Sequence, residues 1–222
     1  MSEHGDPMDP DMDRIARAMP EVELIKDGVL RRKVLEVWVL ALSESSFNSI
    51  EEVPGEPEID PSVNQLTHQR AVARLAWQIA DVMEGTMPAI RFDRDVLVAG
   101  ALVHDVGKAF EYDPKRAAVW RNRPQAVGYP PIRHPAYGVH LALRVGLPEA
   151  VAHICAAHAR EGEMIQRSLE AVAVHYADFA FWEVVAKACT GLSEDQAIRL
   201  SWPSDGLRAV PKPHRNTDES QG

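Results

Sequence analysis

Apolar residues recur along most of the chain at the three-to-four-residue spacing of an amphipathic helix. This spacing predicts a helix over 28–43, where valines and leucines form the apolar side. Two residues that commonly cap helices mark the next starts: Asn64 precedes a predicted helix to about 84, and Asp93 precedes one to about 108. No segment alternates convincingly between apolar and polar residues as a strand would. The fold class predicted from this pattern is therefore all-α.

Further helices are predicted in the second half of the chain, separated by stretches that contain proline and glycine. They are expected over about 113–121, 135–145, 148–159, 163–188 and 193–200. The segment 44–61 instead contains prolines and serines and is predicted to be a long irregular connection, of the kind that often forms a lid or specificity element. Together these elements predict a helical bundle of about six to eight helices.

The two ends of the chain lack this periodicity. Residues 1–13 are acidic and are expected to form a disordered leader, and the polar residues 203–222 a flexible tail. The range 14–202 is predicted to be a single helical domain, with a motif-bearing core at 64–188. A chain of 222 residues with 45% hydrophobic content can bury one substantial core of this kind.

Charge and cysteine content exclude several kinds of partner. The chain has 24 Lys+Arg against 33 Asp+Glu and a formal net charge of -9, so a nucleic acid duplex is not expected as a partner. Cys155 and Cys189 are not in a paired spacing, which argues against disulfides or a thiolate zinc site and favours the reducing cytoplasm. No apolar run reaches the roughly 18 residues of a membrane span. The protein is expected to be soluble and cytoplasmic, with no membrane partner.

The candidate chemistry begins at His104 and Asp105, which fall inside the apolar run 96–106. A buried His and Asp need a nearby charge, which a metal ion would supply. Imidazole and carboxylate without thiolate are ligands for divalent ions such as Mn, Fe, Co, Ni and Zn. Distant helices converge on such sites in bundles. The further candidates, each in a different predicted helix, are His68, His134, His158 and Asp178.

The order of these residues resembles the signature of the HD-domain superfamily of metal-dependent phosphohydrolases. The resemblance covers about 66–186 and implies an HD-domain-like helical bundle around a metal site. It also implies hydrolysis of a small phosphorylated metabolite or nucleotide through a metal-activated water. The matching elements, in chain order, are His68, His104-Asp105, the segment from Arg133 to Gly138, the segment from Gly146 to Glu149, His158 and Asp178.

The extended form of the pattern implies two divalent metals per chain. The first would be bound by His68, His104, Asp105 and Asp178. Asp105 would bridge to a second metal, completed by His134 and His158. Lys108 matches a lysine that helps to hold substrate phosphate in such enzymes, although it could instead only complement the end of its helix dipole.

Other residues near these positions are candidates for supporting roles. His175 lies three residues before Asp178 on the same helix face, and is predicted to orient a ligand or to touch substrate. Glu111 and Asp113 are candidates for positions behind the ligands. The catalytic candidates are Asp105, Lys108 and His175, and the candidates for binding a small anionic substrate are Lys108, Arg133 and Arg160; the two arginines could instead be solvated surface residues.

Several alternatives stay open. Two-metal phosphodiesterases of the cyclic-dinucleotide type often have a second adjacent His where this chain has Ala159, and their Gly-Tyr-Pro element is not in its expected place; both disfavour cyclic dinucleotide cleavage. The same ligands suit a mixed-valent di-iron oxygenase. A hydrolase or hydratase of a non-phosphate small molecule and a non-catalytic metal-binding module are the remaining readings. The first apolar helix, with Trp38, could close the core or pair two copies in a homo-oligomer.

Overall fold

The computed structural model describes residues 9–201, and within this range the chain is helical, with no β-strand. The predicted all-α fold is confirmed. No helix in the described range is long and apolar enough to cross a membrane. The α-helices are α1 (Pro10–Ala18), α2 (Gly28–Ser43), α3 (Gln65–Thr86), α4 (Arg94–Val103), α5 (Lys108–Glu111), α6 (Pro114–Asn122), α7 (Pro124–Val127), α8 (His134–Arg144), α9 (Glu149–Ala157), α10 (Leu169–Thr190) and α11 (Glu194–Ser201); short 3-10 helices span Pro20–Leu24, Ile50–Glu52 and Arg160–Met164.

Side-chain caps set the starts of α3 and α4, where the sequence predicted them. The Asn64 carboxamide oxygen accepts the backbone N–H of Thr67 at 3.0 Å. The Asp93 carboxylate accepts the N–H groups of Asp95 and Val96 at 3.1 and 3.0 Å. Each cap satisfies donors that the first helical turn leaves without a partner. The capping residues therefore fix where α3 and α4 begin.

The structure differs from the sequence prediction after α4. The helix expected to reach about 108 ends at Val103, and a turn over 104–107 separates it from α5. A Cβ added to Gly107 would lie 2.1 Å from the carbonyl oxygen of His134, so only glycine permits this close approach to α8. Adjacent residues on a helix diverge by about 100°. A turn after α4 therefore changes which way its last polar residues face.

The remaining differences lie at element ends. The helix expected from 163 begins at Leu169, because the preceding residues form the 3-10 helix Arg160–Met164. Residues 10–13 of the expected leader belong to α1, which buries Met12 and Ile15. Disorder was therefore wrong for these four residues. Asp9, also in the expected leader, caps α1. The rest of the leader, 1–8, and the tail, 203–222, lie outside the described residues.

The core surrounds α4. Every residue from Leu97 to Val103 is buried, and α4 packs against α2, α3, α9 and α10. The buried indole of Trp38 on α2 donates a hydrogen bond of 2.8 Å to the carbonyl oxygen of Leu102. Trp38 therefore closes the core of its own chain, the first of the two roles considered for α2. The carboxyl end of α4 faces the residues described next.

Candidate metal centre

The six predicted ligands, here called the candidate centre, come from five elements that meet at the carboxyl end of α4. All six are buried, with exposed fractions between 0% and 7%. The structure therefore brings together the complete set that the sequence singled out. His68 lies in the first turn of α3, His104 and Asp105 in the turn after α4, His134 at the start of α8, His158 directly after α9, and Asp178 midway along α10.

Two histidines and one aspartate form the inner side of the centre. The Nε2 atoms of His68 and His104 are 3.1 Å apart. The Oδ1 atom of Asp178 lies 3.2 Å from the first of these nitrogens and 3.8 Å from the second. These three atoms are close enough together to bind one metal ion.

Asp105 connects this inner group to the outer histidines. Its Oδ2 atom is 3.3 Å from Nε2 of His68. Its Oδ1 atom is 3.2 Å from Nε2 of both His134 and His158. A second group of mutually close ligand atoms contains His104, Asp105 and His158, and His134 is close to Asp105 without belonging to either group. The two oxygens of one carboxylate thus face two different sets of donors.

Hydrogen bonds on the outer side of the rings fix which nitrogen carries the proton. The Nδ1 atoms of His104 and His158 each lie 2.9 Å from a backbone carbonyl oxygen, that of Ala101 and that of Cys155 respectively. A carbonyl oxygen can only accept, so Nδ1 donates in both rings. In the neutral rings the Nε2 lone pairs then point into the centre.

Glu111 has the same effect on His134. Its carboxylate accepts the ring Nδ1–H of His134 at 2.8 Å and the backbone N–H of the same residue at 2.6 Å. Burial would raise the pKa of Glu111, but His134 and Arg133 lower it to about 2. Glu111 thus lies behind a ligand as predicted. Asp113 instead caps α6 by accepting the N–H of Arg116 at 2.9 Å, so this second candidate does not support a ligand.

These features fit a bound metal ion. Lone pairs of neutral imidazoles that converge on a carboxylate repel one another unless a cation lies between them. The Oδ1 atom of Asp178 is buried and has no hydrogen-bond partner among residues 9–201. A buried carboxylate oxygen without a donor is costly, and metal coordination would satisfy it. The donor set of imidazole and carboxylate suits divalent ions.

Lys108 lies beside the centre and is fully enclosed. Its ammonium contacts the carbonyl oxygen of Gly55 at 3.1 Å, Oε1 of Glu56 at 2.7 Å and Oδ2 of Asp105 at 2.9 Å. Two of its N–H groups donate hydrogen bonds, to Gly55 and Glu56, and Asp105 is an ion-pair partner. Burial would lower the pKa of Lys108, but the carboxylates of Asp105 and Glu56 raise it above its ordinary value. Lys108 is therefore held as a cation by carboxylate partners within the chain.

Glu56 is a site residue that the sequence analysis did not identify. It belongs to the irregular segment 44–61, and it also accepts the hydroxyl of Tyr112 at 3.0 Å. The segment passes close to α10, since a Cβ added to Gly55 would lie 2.8 Å from the ring of Trp182. Nothing periodic marks Glu56 in the sequence. Only the prediction of a lid or specificity element at 44–61 pointed to this region.

A pocket of about 360 Å³ opens onto the centre. Arg133 and Arg160 line it, as expected for substrate-binding candidates, but both already have carboxylate partners. Nε of Arg133 is 2.8 Å from Glu161, and Nη1 of Arg160 is 2.7 Å from Asp195. The two arginine side chains are 44% and 55% exposed, so the pairs with Glu161 and Asp195 are weak and open to exchange, whereas Nη1 of Arg133 also pairs with the buried Glu111.

His175 lies behind the centre. Its Nδ1 donates to the backbone carbonyl oxygen of His158, and its ring centroid lies 4.4 Å from that of Phe179. It is buried and is not one of the residues that line the pocket. Of the two roles predicted for His175, this geometry favours orienting a ligand over touching substrate.

Comparison with known proteins agrees with this geometry. The family model of the HD domain matches residues 66–179, a range that contains the whole candidate centre. The dihydroneopterin 2',3'-cyclic phosphate phosphodiesterase of Methanocaldococcus jannaschii is 28% identical, with 82% of this chain and 76% of the relative covered. No solved structure matches the chain significantly. The match covers more than half of the chain and includes every residue of the centre, so the chain belongs to the HD domain family.

Proposed function

We propose that this protein is a metal-dependent phosphohydrolase that uses water to cleave a phosphate ester of a small metabolite. The observation that carries the proposal is the position of Asp105, whose two oxygens face different sets of imidazole nitrogens at 3.2 to 3.3 Å. A carboxylate shared in this way would suit two divalent ions, an arrangement common in enzymes that cleave phosphate esters.

The proposed ligands form two overlapping sets. The support for both is the direction of the imidazole lone pairs, together with the buried Asp178 oxygen that has no donor among the described residues. Iron, manganese, cobalt, nickel and zinc all suit these donors. The first set is His68, His104, Asp105 and Asp178; the second is Asp105, His134 and His158.

Two bound divalent ions would neutralise charge on the phosphoryl oxygens and lower the pKa of water at the site. The chain keeps its own groups in the states that this requires. Burial would raise the pKa of Asp105, but the Lys108 ammonium holds it well below its usual range, so the carboxylate stays ionised. Lys108 can bind phosphate only after the Glu56 carboxylate has moved away from its ammonium. Glu111 holds the ring of His134 in place, and His175 holds the backbone of His158.

A cyclic phosphodiester of a small metabolite is the proposed substrate class. The support is the relative from Methanocaldococcus jannaschii, whose named substrate is the 2',3'-cyclic phosphate of dihydroneopterin. The pocket of about 360 Å³ lies in the size range of sites for small molecules. Arg133 and Arg160 are the proposed contacts for the outer phosphate oxygens, since both line the pocket and each has one exposed ion pair, with Glu161 and Asp195 respectively.

The test measures metal content and ring opening on the same samples. We expect two transition-metal ions per chain after anaerobic purification, and metal-dependent opening of dihydroneopterin and guanosine 2',3'-cyclic phosphates, followed by ³¹P NMR. Asp105→Asn should lose at least one ion and reduce kcat/KM by about a hundredfold or more, because the shared carboxylate is weakened for both positions.

Asp81→Asn is the matched control, because this carboxylate is 67% exposed and lies outside the pocket. It should keep the metal content and the activity of the unmodified protein. Retention of two ions and full activity by Asp105→Asn would contradict the proposal. Oxygen uptake coupled to loss of substrate would instead assign the protein to the oxygenase branch of the family.

A further inference from the structure

One carboxylate in the pocket has no part in the proposed centre. Glu194, at the start of α11, lines the pocket and is 9% exposed. Among residues 9–201, no hydrogen bond or ion pair reaches its carboxylate oxygens; its backbone N–H donates to Glu183 at 3.3 Å. The other pocket glutamates differ in this respect, since Glu56 is bound by Lys108 and Glu111 by His134. Glu194 is thus a buried acceptor that faces the pocket.

The surroundings of Glu194 make hydrogen-bond donors favourable at this point. Burial, together with the negative charges of Asp178 and Glu56, raises the pKa of Glu194 to about 7, with Arg160 opposing the shift. A buried carboxyl group without donors costs free energy that a ligand can recover by supplying N–H or O–H groups. The ionised phosphate of a cyclic diester carries no N–H or O–H group, so a different part of the substrate fits here.

Aromatic and apolar side chains line the same pocket. Phe179 and Tyr129 are half-buried, and the buried Trp182 lies on the same helix as Asp178. Ring faces of this kind suit a flat ring system, because planar groups bury a large area against them at little entropic cost. The pocket therefore combines a cationic end, a buried acceptor and aromatic walls.

Building on the proposed function, we propose that Glu194 binds the amino and imino edge of a planar nitrogen heterocycle in the substrate, while the phosphate lies at the metal centre. A 2-amino-4-oxopyrimidine ring, present in pterins and in guanine, carries a ring N–H and an exocyclic NH2 side by side. These two donors match the two oxygens of one carboxylate. Glu194 is then a specificity residue for the part of the substrate that does not react.

The experiment compares guanosine with inosine 2',3'-cyclic phosphate, which share the sugar and the cyclic ester and differ only in the exocyclic amino group. The unmodified protein should prefer the guanosine compound by about tenfold or more in kcat/KM, since loss of one donor leaves a buried acceptor without a partner. Glu194→Gln should reduce that ratio to near one, because its carboxamide NH2 meets the ring N–H donor.

A binding measurement without catalysis accompanies the kinetics. Calorimetric titration of the metal-free protein with guanosine, which carries no phosphate, should give about tenfold weaker binding for Glu194→Gln. Glu163→Gln is the control, since this carboxylate is 63% exposed and pairs with Arg167 outside the pocket. It should keep both the preference and the guanosine affinity.

The outcomes separate the two proposals. Equal kcat/KM for both cyclic phosphates in the unmodified protein, with guanosine binding unaffected by Glu194→Gln, would overturn the role of Glu194 and leave the phosphohydrolase proposal standing. No ring opening of either compound, with guanosine binding that still depends on Glu194, would overturn the phosphohydrolase proposal and support the heterocycle site.

Discussion

Lys108 and Asp105 depend on each other for their charged states. The ammonium lies 2.9 Å from the Asp105 carboxylate in a region with almost no solvent contact. Each charge offsets the desolvation of the other, and Glu56 supplies the second negative partner at 2.7 Å. Removal of the cation would therefore leave two carboxylates in a buried environment, which is far more costly than loss of a surface ion pair.

Replacement of Lys108 tests this dependence. We expect Lys108→Met, which keeps most of the side-chain volume, to lower the free energy of unfolding of the metal-free protein by about 3 to 5 kcal/mol. Urea denaturation followed by circular dichroism measures the change. Lys115→Met, at an exposed position on α6, should stay within about 0.5 kcal/mol of the unmodified protein. Equal stability of the two variants would show that the buried ion pairs contribute little.

At the scale of elements, the turn over 104–107 decides how the site is built. It ends α4 three residues before the apolar run ends, and it brings α5 against the start of α8 at Gly107. His104 belongs to the inner group, and Asp105 lies between His68 on one side and His134 and His158 on the other. A continuous helix would hold these two neighbours about 100° apart. The packing of the turn against α8 also sets the distance between Asp105 and His134.

Gly107→Ala should disrupt this packing. The added Cβ would lie 2.1 Å from the His134 carbonyl oxygen, so α8 must move away from the turn. We expect a loss of about 1 to 3 kcal/mol in unfolding free energy and a fall in bound metal toward one ion per chain. Gly85→Ala is the control, since nothing lies within 4 Å of its added Cβ. Full metal content in Gly107→Ala would show that α8 tolerates the displacement.

Helix starts and helix ends differed in how well the sequence predicted them. The starts of α3 and α4 were predicted because Asn64 and Asp93 satisfy backbone donors a few residues away, a purely local interaction, whereas α10 begins at Leu169, six residues later than expected. The end of α4 was not predicted, because the apolar pattern continues through the turn and the close approach of Gly107 to His134 is a long-range contact. Glu56 and Glu194 were missed for the same reason, since only long-range packing brings them to the pocket.

At the scale of the whole molecule, the centre connects five elements that are far apart in the chain. The six residues lie between 68 and 178, and each approaches from a different direction around the end of α4. Their order in the sequence was sufficient to identify them as one set through the resemblance to the HD domain. Their spacing in three dimensions, and the bridging position of Asp105, required the packing of the complete bundle.

Metal removal should therefore destabilise the complete domain. A metal ion that binds only the folded state adds about 2.7 kcal/mol at a hundred times its dissociation constant. For a protein of this size, we expect chelation to lower Tm by about 5 to 10 °C in calorimetry. His140→Ala, at an exposed position, should show the same shift, whereas His68→Ala should show little or none. Equal chelator sensitivity of His68→Ala and the unmodified protein would contradict the ligand role of His68.

The Glu56 carboxylate competes with an anionic substrate for the Lys108 ammonium. An anion gains the Lys108 ammonium only when the Glu56 carboxylate leaves it, so the observed affinity is the intrinsic affinity reduced by the fraction of molecules in which Lys108 is available. Weakly charged anions would not compensate for this loss, whereas a phosphate ester that also engages the centre would. An internal carboxylate of this kind therefore makes the pocket selective for strongly charged ligands.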